Sequence, residues 1–149
     1  MGYMRDDKPH FYHVSTRKHT ADTEFDVSRL DKLPQVDIAY AYANMNRVAV
    51  DAFVAAGAKA IIYAGVGDGS VARPAAEPAL IEARKKQVIV VRASRVGNGI
   101  VERNTEERDD ELGYVVSDTL NPQKARILVM LALTRTTDPK EIQRMFYTY

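Results

Sequence analysis

The chain alternates short apolar runs with amphipathic stretches from residue 33 to its end. Four runs are apolar at nearly every position, which is typical of strands buried on both faces rather than on one. They are Val36-Asp37-Ile38-Ala39-Tyr40, Ala60-Ile61-Ile62-Tyr63-Ala64, Val88-Ile89-Val90-Val91 and Gly113-Tyr114-Val115-Val116. We therefore predict about four strands in this part of the chain.

Helical patterns separate these runs and follow the last one. Residues 44–56 and 75–86 have the composition and spacing of helices. Two more helices are predicted after Asn121 and after Asp138, because each is a good N-cap followed by proline at the first helical position. Strands that alternate with helices predict an α/β fold: a small parallel sheet of about four strands with helices on both faces, Rossmann-like in arrangement.

Residues 1–34 differ from the remainder in having many charges and few aliphatic side chains. They also hold all three histidines, and residues 10–14 read as one strand of a hairpin. We interpret 1–34 as an extended N-terminal arm or linker with little core of its own, and 35–149 as the α/β domain. The spacing of His10, His13 and His19 matches no zinc motif, so surface histidines are the better interpretation.

Composition narrows the functional classes. The 149 residues fit one domain, and a net charge of +1 gives no electrostatic reason to expect nucleic acid or an acidic membrane as partner. The absence of cysteine excludes a disulfide scaffold, a thiolate metal site and a cysteine nucleophile. No metal or cofactor is therefore predicted. No apolar run approaches a membrane span, and the start does not read as a secretory signal.

A glycine-rich segment follows the second predicted strand: Gly65-Val66-Gly67-Asp68-Gly69-Ser70. Ligands of α/β sheets bind at the carboxyl ends of strands, and glycines let the backbone approach a bound group. The third glycine falls one place too early for a dinucleotide fingerprint. A tight strand-to-helix turn, a loop for a ligand other than a nucleotide and a nucleotide loop all remain open on spacing alone.

An acidic run, Glu106-Glu107-Arg108-Asp109-Asp110-Glu111, lies in what we predict to be a long loop between the third and fourth strands. Most members of such a run are expected to form a solvated face. Because a long loop at this edge of a sheet is also a common place for function, paired carboxylates could instead hold a cation or a substrate ammonium.

Several spaced segments together resemble the C-terminal part of bacterial type II L-asparaginases. The segments are residues 17–20, 25–28, 64–70 and 119–126, together with the ending from Asp138 to Tyr149. The resemblance extends over nearly the whole chain, and the Gly-Asp-Gly-Ser form of the loop is closer to the glutaminase-asparaginase branch. It implies hydrolysis of the side-chain amide of asparagine or glutamine through a threonine nucleophile.

The resemblance also implies which residues matter. The threonine motifs of this family lie in an N-terminal catalytic domain and are not found in these residues, which contain no Gly-Gly pair and only one Thr-Asp pair, at Thr137. Ser70 and Glu106 match positions that bind the substrate's α-amino region across a dimer interface. We therefore expect substrate-binding residues but no catalytic residue, inactivity of the chain alone, and a homo-oligomer.

Two alternatives stay open at this point. One is a small anion- or nucleotide-binding α/β module that uses residues 65–70, and the other is a structural or interaction remnant of an enzyme. Type II enzymes are often periplasmic, whereas the chain expressed as it stands would be cytoplasmic, so the compartment is left undecided.

Overall fold

The structure is a computed structural model that describes residues 2–149. The strands are β1 (Gly2–Arg5), β2 (Lys8–Phe11), β3 (Val36–Tyr40), β4 (Ala60–Gly65), β5 (Ile89–Ser94) and β6 (Val115–Val116). The helices are α1 (Val48–Ala55), α2 (Ala76–Lys85), α3 (Asp109–Leu112), α4 (Pro122–Ala132) and α5 (Pro139–Thr148).

The main sheet contains four parallel strands in the order β3-β4-β5-β6. Ile62 at the centre of β4 lies opposite Ile38 on one side and Val91 on the other. Every residue of β4 and β5 is buried, which is why neither strand alternates between apolar and polar residues; only Arg92 and Ser94 of β5 are polar. The predicted α/β sheet of four strands is confirmed.

Helices cover both faces of this sheet, as predicted. Side chains of a strand alternate between faces, so neighbours such as Ile61 and Ile62 belong to different cores. Ile61 packs with residues of α1 and α2, while Ile62 packs with residues of α4 and α5, among them Phe146. Because the two cores cover the two faces of the sheet, the carboxyl ends of the strands remain free to carry loops.

The predicted helix starts are confirmed at both Asn121 and Asp138. The Asn121 side chain accepts a hydrogen bond from the Lys124 amide at 2.9 Å, and Asp138 accepts one from the Lys140 amide at 3.0 Å. The fourth strand is shorter than predicted. Gly113 adopts a left-handed conformation (φ 67°) that ends α3, so pairing with β5 begins only at Val115.

The N-terminal segment contains an exposed hairpin and a docked stretch. Strands β1 and β2 pair with each other, so the hairpin lies a few residues earlier than the predicted strand at 10–14. Farther along, Arg17 donates a hydrogen bond to the Phe146 carbonyl at 2.6 Å and pairs with Asp118, and the Lys18 amide donates to the Thr148 carbonyl at 3.1 Å. The arm is thus attached to the end of α5.

Within residues 2–149, no helix combines the length and the apolar character needed to cross a bilayer.

Candidate functional site

Two loops meet at the carboxyl ends of β4 and β5. We call residues 65–70, which leave β4, the glycine loop, and residues 102–108, which lie between β5 and α3, the acidic loop. Their contact joins the two segments that the sequence singles out. The prediction of a long loop is wrong at the end of the acidic run. There the short helix α3 contains Asp109, Asp110 and Glu111.

Ser70 and Glu106 face each other across this junction. The Ser70 hydroxyl donates a hydrogen bond to Glu106 Oε2 at 3.0 Å, although the residues are 36 positions apart in the chain. Ser70 is half-buried and Glu106 is exposed. A hydroxyl and a carboxylate are therefore held together on an open rim.

The glycine loop turns back tightly on itself. The Ser70 amide donates to the Val66 carbonyl at 3.0 Å, and the Ser94 hydroxyl donates to the Gly67 carbonyl at 2.6 Å. A Cβ added at Gly65 would lie only 2.5 Å from the Gly69 carbonyl carbon and the Ser70 carbonyl oxygen. Glycine at this position is required by the close approach of two backbone segments, which agrees with the tight-turn interpretation of the motif.

Asp68 links the glycine loop to the acidic loop. One carboxylate oxygen accepts a hydrogen bond from the Glu102 amide at 2.6 Å, and the other accepts one from the Thr105 hydroxyl at 2.5 Å. Protein donors therefore satisfy this carboxylate. Among residues 2–149, no group of three or more His, Asp or Glu side chains is arranged to hold a metal ion.

The acidic run is only partly a solvated face. Glu106, Arg108, Asp110 and Glu111 are exposed, as predicted for most members, whereas Glu107 and Asp109 are buried. Glu107 forms an ion pair with Arg73 at 2.7 Å. Its burial nevertheless raises the pKa of the Glu107 carboxyl group, because desolvation of the charged form outweighs the attraction of Arg73.

Asp109 pairs with Arg92, a β5 residue that sequence reasoning missed. Both side chains are fully buried, and the guanidinium Nε and Nη2 donate to the two carboxylate oxygens at 2.7 and 2.8 Å. A signal for this pair does exist in the sequence. An arginine inside an otherwise apolar buried strand requires a carboxylate nearby, because an unpaired buried charge is very costly.

The chemistry of the rim favours binding of a cation over nucleophilic attack. Ser70 has a carboxylate rather than an imidazole as its partner, and the three histidines lie in the exposed arm at residues 10–19. Exposed carboxylates such as Glu106 form strong charge-assisted hydrogen bonds with ammonium groups. The arrangement is suited to hold an amino group of a ligand.

Comparisons with known proteins identify relatives along the whole chain. A family model described as "Glutaminase/Asparaginase C-terminal domain" matches residues 35–146. The chain is 51% identical to L-asparaginase 2 of Bacillus subtilis and 49% identical to glutaminase-asparaginase of Pseudomonas fluorescens, with all of its residues aligned in both cases. L-asparaginase 2 of Escherichia coli is 45% identical. The chain spans about two fifths of the length of these relatives, between 39% and 42%.

Proposed function

The chain belongs to the glutaminase/asparaginase C-terminal domain family, and we propose that it forms the substrate-binding wall of an amide-hydrolysing site. The substrates would be asparagine or glutamine, whose side-chain amides are converted to carboxylates with release of ammonia. In this role, Ser70 and Glu106 contact the α-amino region of the substrate. Relatives named L-asparaginase and glutaminase-asparaginase support this substrate class.

The observation that carries the proposal is the 3.0 Å contact between Ser70 Oγ and Glu106 Oε2. In this contact a hydroxyl orients one oxygen of an exposed carboxylate, which is the kind of group that pairs with an ammonium. Free amino acids carry such a group, whereas nucleotides present phosphates that a carboxylate would repel. The charge of the rim thus favours an amino-acid ligand over the nucleotide alternative.

The attacking hydroxyl would come from another domain. Acyl transfer needs a nucleophile, a base and an oxyanion stabiliser in one geometry, and the rim supplies a binding surface only. We therefore propose no catalytic residue within this chain and no cofactor. Residues 1–34 would act as the arm that leads to the catalytic domain, and residues 35–149 as the binding domain.

The site would be completed in a homo-oligomer, with Ser70 and Glu106 reaching the substrate across a dimer interface. The exposure of Glu106 and the partial exposure of Ser70 on one rim are consistent with such a shared site.

A chimaera tests the proposal. The chain replaces the matching segment of B. subtilis L-asparaginase 2, its 51% identical relative, and ammonia release from asparagine and glutamine is measured. We expect the chimaera to hydrolyse an amide and the isolated chain to release no ammonia above a buffer control. At substrate concentrations below KM, Glu106→Gln should abolish most of the activity through a raised KM, whereas the matched control Glu111→Gln, an exposed acid in the same run, should not.

Ammonia release by the purified isolated chain, with host enzyme excluded, would contradict the assignment of the nucleophile to another domain. Equal activity of the Glu106→Gln and Glu111→Gln chimaeras would contradict the role of the rim.

A further inference from the structure

Arg92 is a charged residue at the centre of the loop junction, and it is completely buried. An arginine side chain has five N–H donors. Nε donates to Asp109, Nη1 donates to the carbonyls of Asp68 and Gly69, and Nη2 donates to Asp109 and to the carbonyl of Glu102. Every donor of the guanidinium thus has a partner.

These partners belong to both loops that form the rim. The carbonyls of Asp68 and Gly69 immediately precede Ser70 and are 2.8 and 3.2 Å from Nη1. The carbonyl of Glu102 begins the acidic loop and is 3.0 Å from Nη2. One rigid planar group therefore sets the position of two backbone segments relative to each other.

Asp109, which follows Glu106 in the chain, connects the acidic loop to Arg92 a second time. Besides its two bonds from Arg92, the carboxylate accepts a hydrogen bond from the Asn104 amide at 2.8 Å. The acidic loop is consequently held before Glu106, at residues 102 and 104, and after it, at Asp109. Glu106 lies on the short stretch between these anchors.

We propose that Arg92 and Asp109 are positioning residues that set the geometry of Ser70 and Glu106 without touching the substrate. This inference rests on the proposed function of the rim. Buried ion pairs contribute little net stability, because removing two charges from water offsets their attraction. The hydrogen bonds from all five donors of Arg92 to backbone and carboxylate oxygens instead indicate that this residue holds the two loops in place.

Lysine is the informative replacement for Arg92. It keeps the positive charge, but it has three donors on one atom and cannot bridge three carbonyls and a carboxylate. The matched control is Arg126→Lys. Arg126 is half-buried and its Nε donates to the Val36 carbonyl at 2.7 Å, at the start of β3 and away from the rim.

Amide hydrogen exchange on the full chain gives the first readout. In Arg92→Lys we expect at least tenfold faster exchange at the amides of Ser70, Glu102 and Asn104, with the amides of β4 unchanged. Asp109→Asn, which preserves side-chain shape, should show the same pattern and serves if the first variant does not fold. Unchanged loop exchange, or equally faster exchange throughout the sheet, would overturn the positioning role.

The chimaera gives the second readout. Because the rim binds substrate in the ground state and in the transition state alike, Arg92→Lys should raise KM for asparagine on the order of tenfold, with kcat changed less than about threefold. Arg126→Lys should change neither. A lower kcat at constant KM would indicate mere loss of folded protein and would contradict the inference. An inactive unsubstituted chimaera would instead refute the proposed function, and the exchange data would still decide the positioning role.

Discussion

The close approach at Gly65 permits a quantitative test of how the glycine loop is built. In Gly65→Ala, the new methyl group would lie 2.5 Å from the Gly69 carbonyl carbon and from the Ser70 carbonyl oxygen. Both atoms are backbone, so no side-chain rotation can relieve the overlap. Relief requires the loop to move away from the end of β4, carrying Ser70 with it.

The expected cost follows from overpacking of a tightly packed region, which typically amounts to 1–3 kcal/mol. Because the clash is with backbone on both sides, we expect a loss of about 2–3 kcal/mol in the free energy of unfolding. Total stabilities of domains are about 5–15 kcal/mol, so such a loss is readily measured by urea denaturation followed by circular dichroism.

Alanine substitutions at two other glycines serve as controls that distinguish the clash at Gly65 from other effects of an added methyl group. A Cβ at Gly97 meets nothing within 4 Å, and this residue is not in the left-handed region, so Gly97→Ala should change stability by less than about 0.5 kcal/mol. A Cβ at Gly67 also meets nothing, but its φ of 50° costs an alanine about 1 kcal/mol. If Gly65→Ala is no less stable than Gly97→Ala, the packing explanation of the motif is wrong.

Two further predictions concern single side chains of the rim. Ser70→Asn lengthens the side chain that contacts Glu106; in the chimaera it should lower the ratio of glutamine to asparagine kcat/KM several-fold, and an unchanged ratio would refute a role of Ser70 in selecting between them. Glu107→Gln removes a buried carboxyl group whose pKa is raised by burial. Because the folded protein holds the proton of Glu107 more tightly than the unfolded chain, wild-type stability falls as pH rises above the usual glutamate pKa of 4.5. The variant lacks this fall. The unfolding free energy of the variant relative to that of the wild type should therefore be higher at pH 7 than at pH 4.5. A lower relative value at pH 7 would contradict the conclusion that desolvation dominates the pKa shift of Glu107.

The sequence predicts the architecture well because the strongest signals are local. Apolar runs mark β3, β4 and β5, and the Asn121 and Asp138 caps mark the starts of α4 and α5. Element ends are less predictable, since they depend on single backbone conformations. The left-handed turn at Gly113 that shortens β6 and the continuation of β5 through Arg92 to Ser94 are examples.

The sequence predicts only part of the candidate site. The family resemblance predicts Ser70 and Glu106 as binding residues, and the structure brings these two side chains into contact. The sequence marks Arg92 as a buried charge, but no periodic pattern identifies Asp109 as its partner. The two residues are 17 positions apart and meet only when the chain folds. The same long-range folding buries Glu107 within a run of charges that otherwise faces solvent.

The attachment of Arg17 determines where anything joined ahead of it would emerge. Arg17 pairs with Asp118, just beyond β6, and bonds to the end of α5, both of which lie at the carboxyl edge of the sheet. If a catalytic domain precedes this one, as we propose, the polypeptide at Arg17 enters at the end of the sheet where β6 finishes, and not at the opposite end where β3 begins. An upstream domain joined in this way would be present at a high effective concentration near the carboxyl ends of the strands, where the proposed binding surface lies.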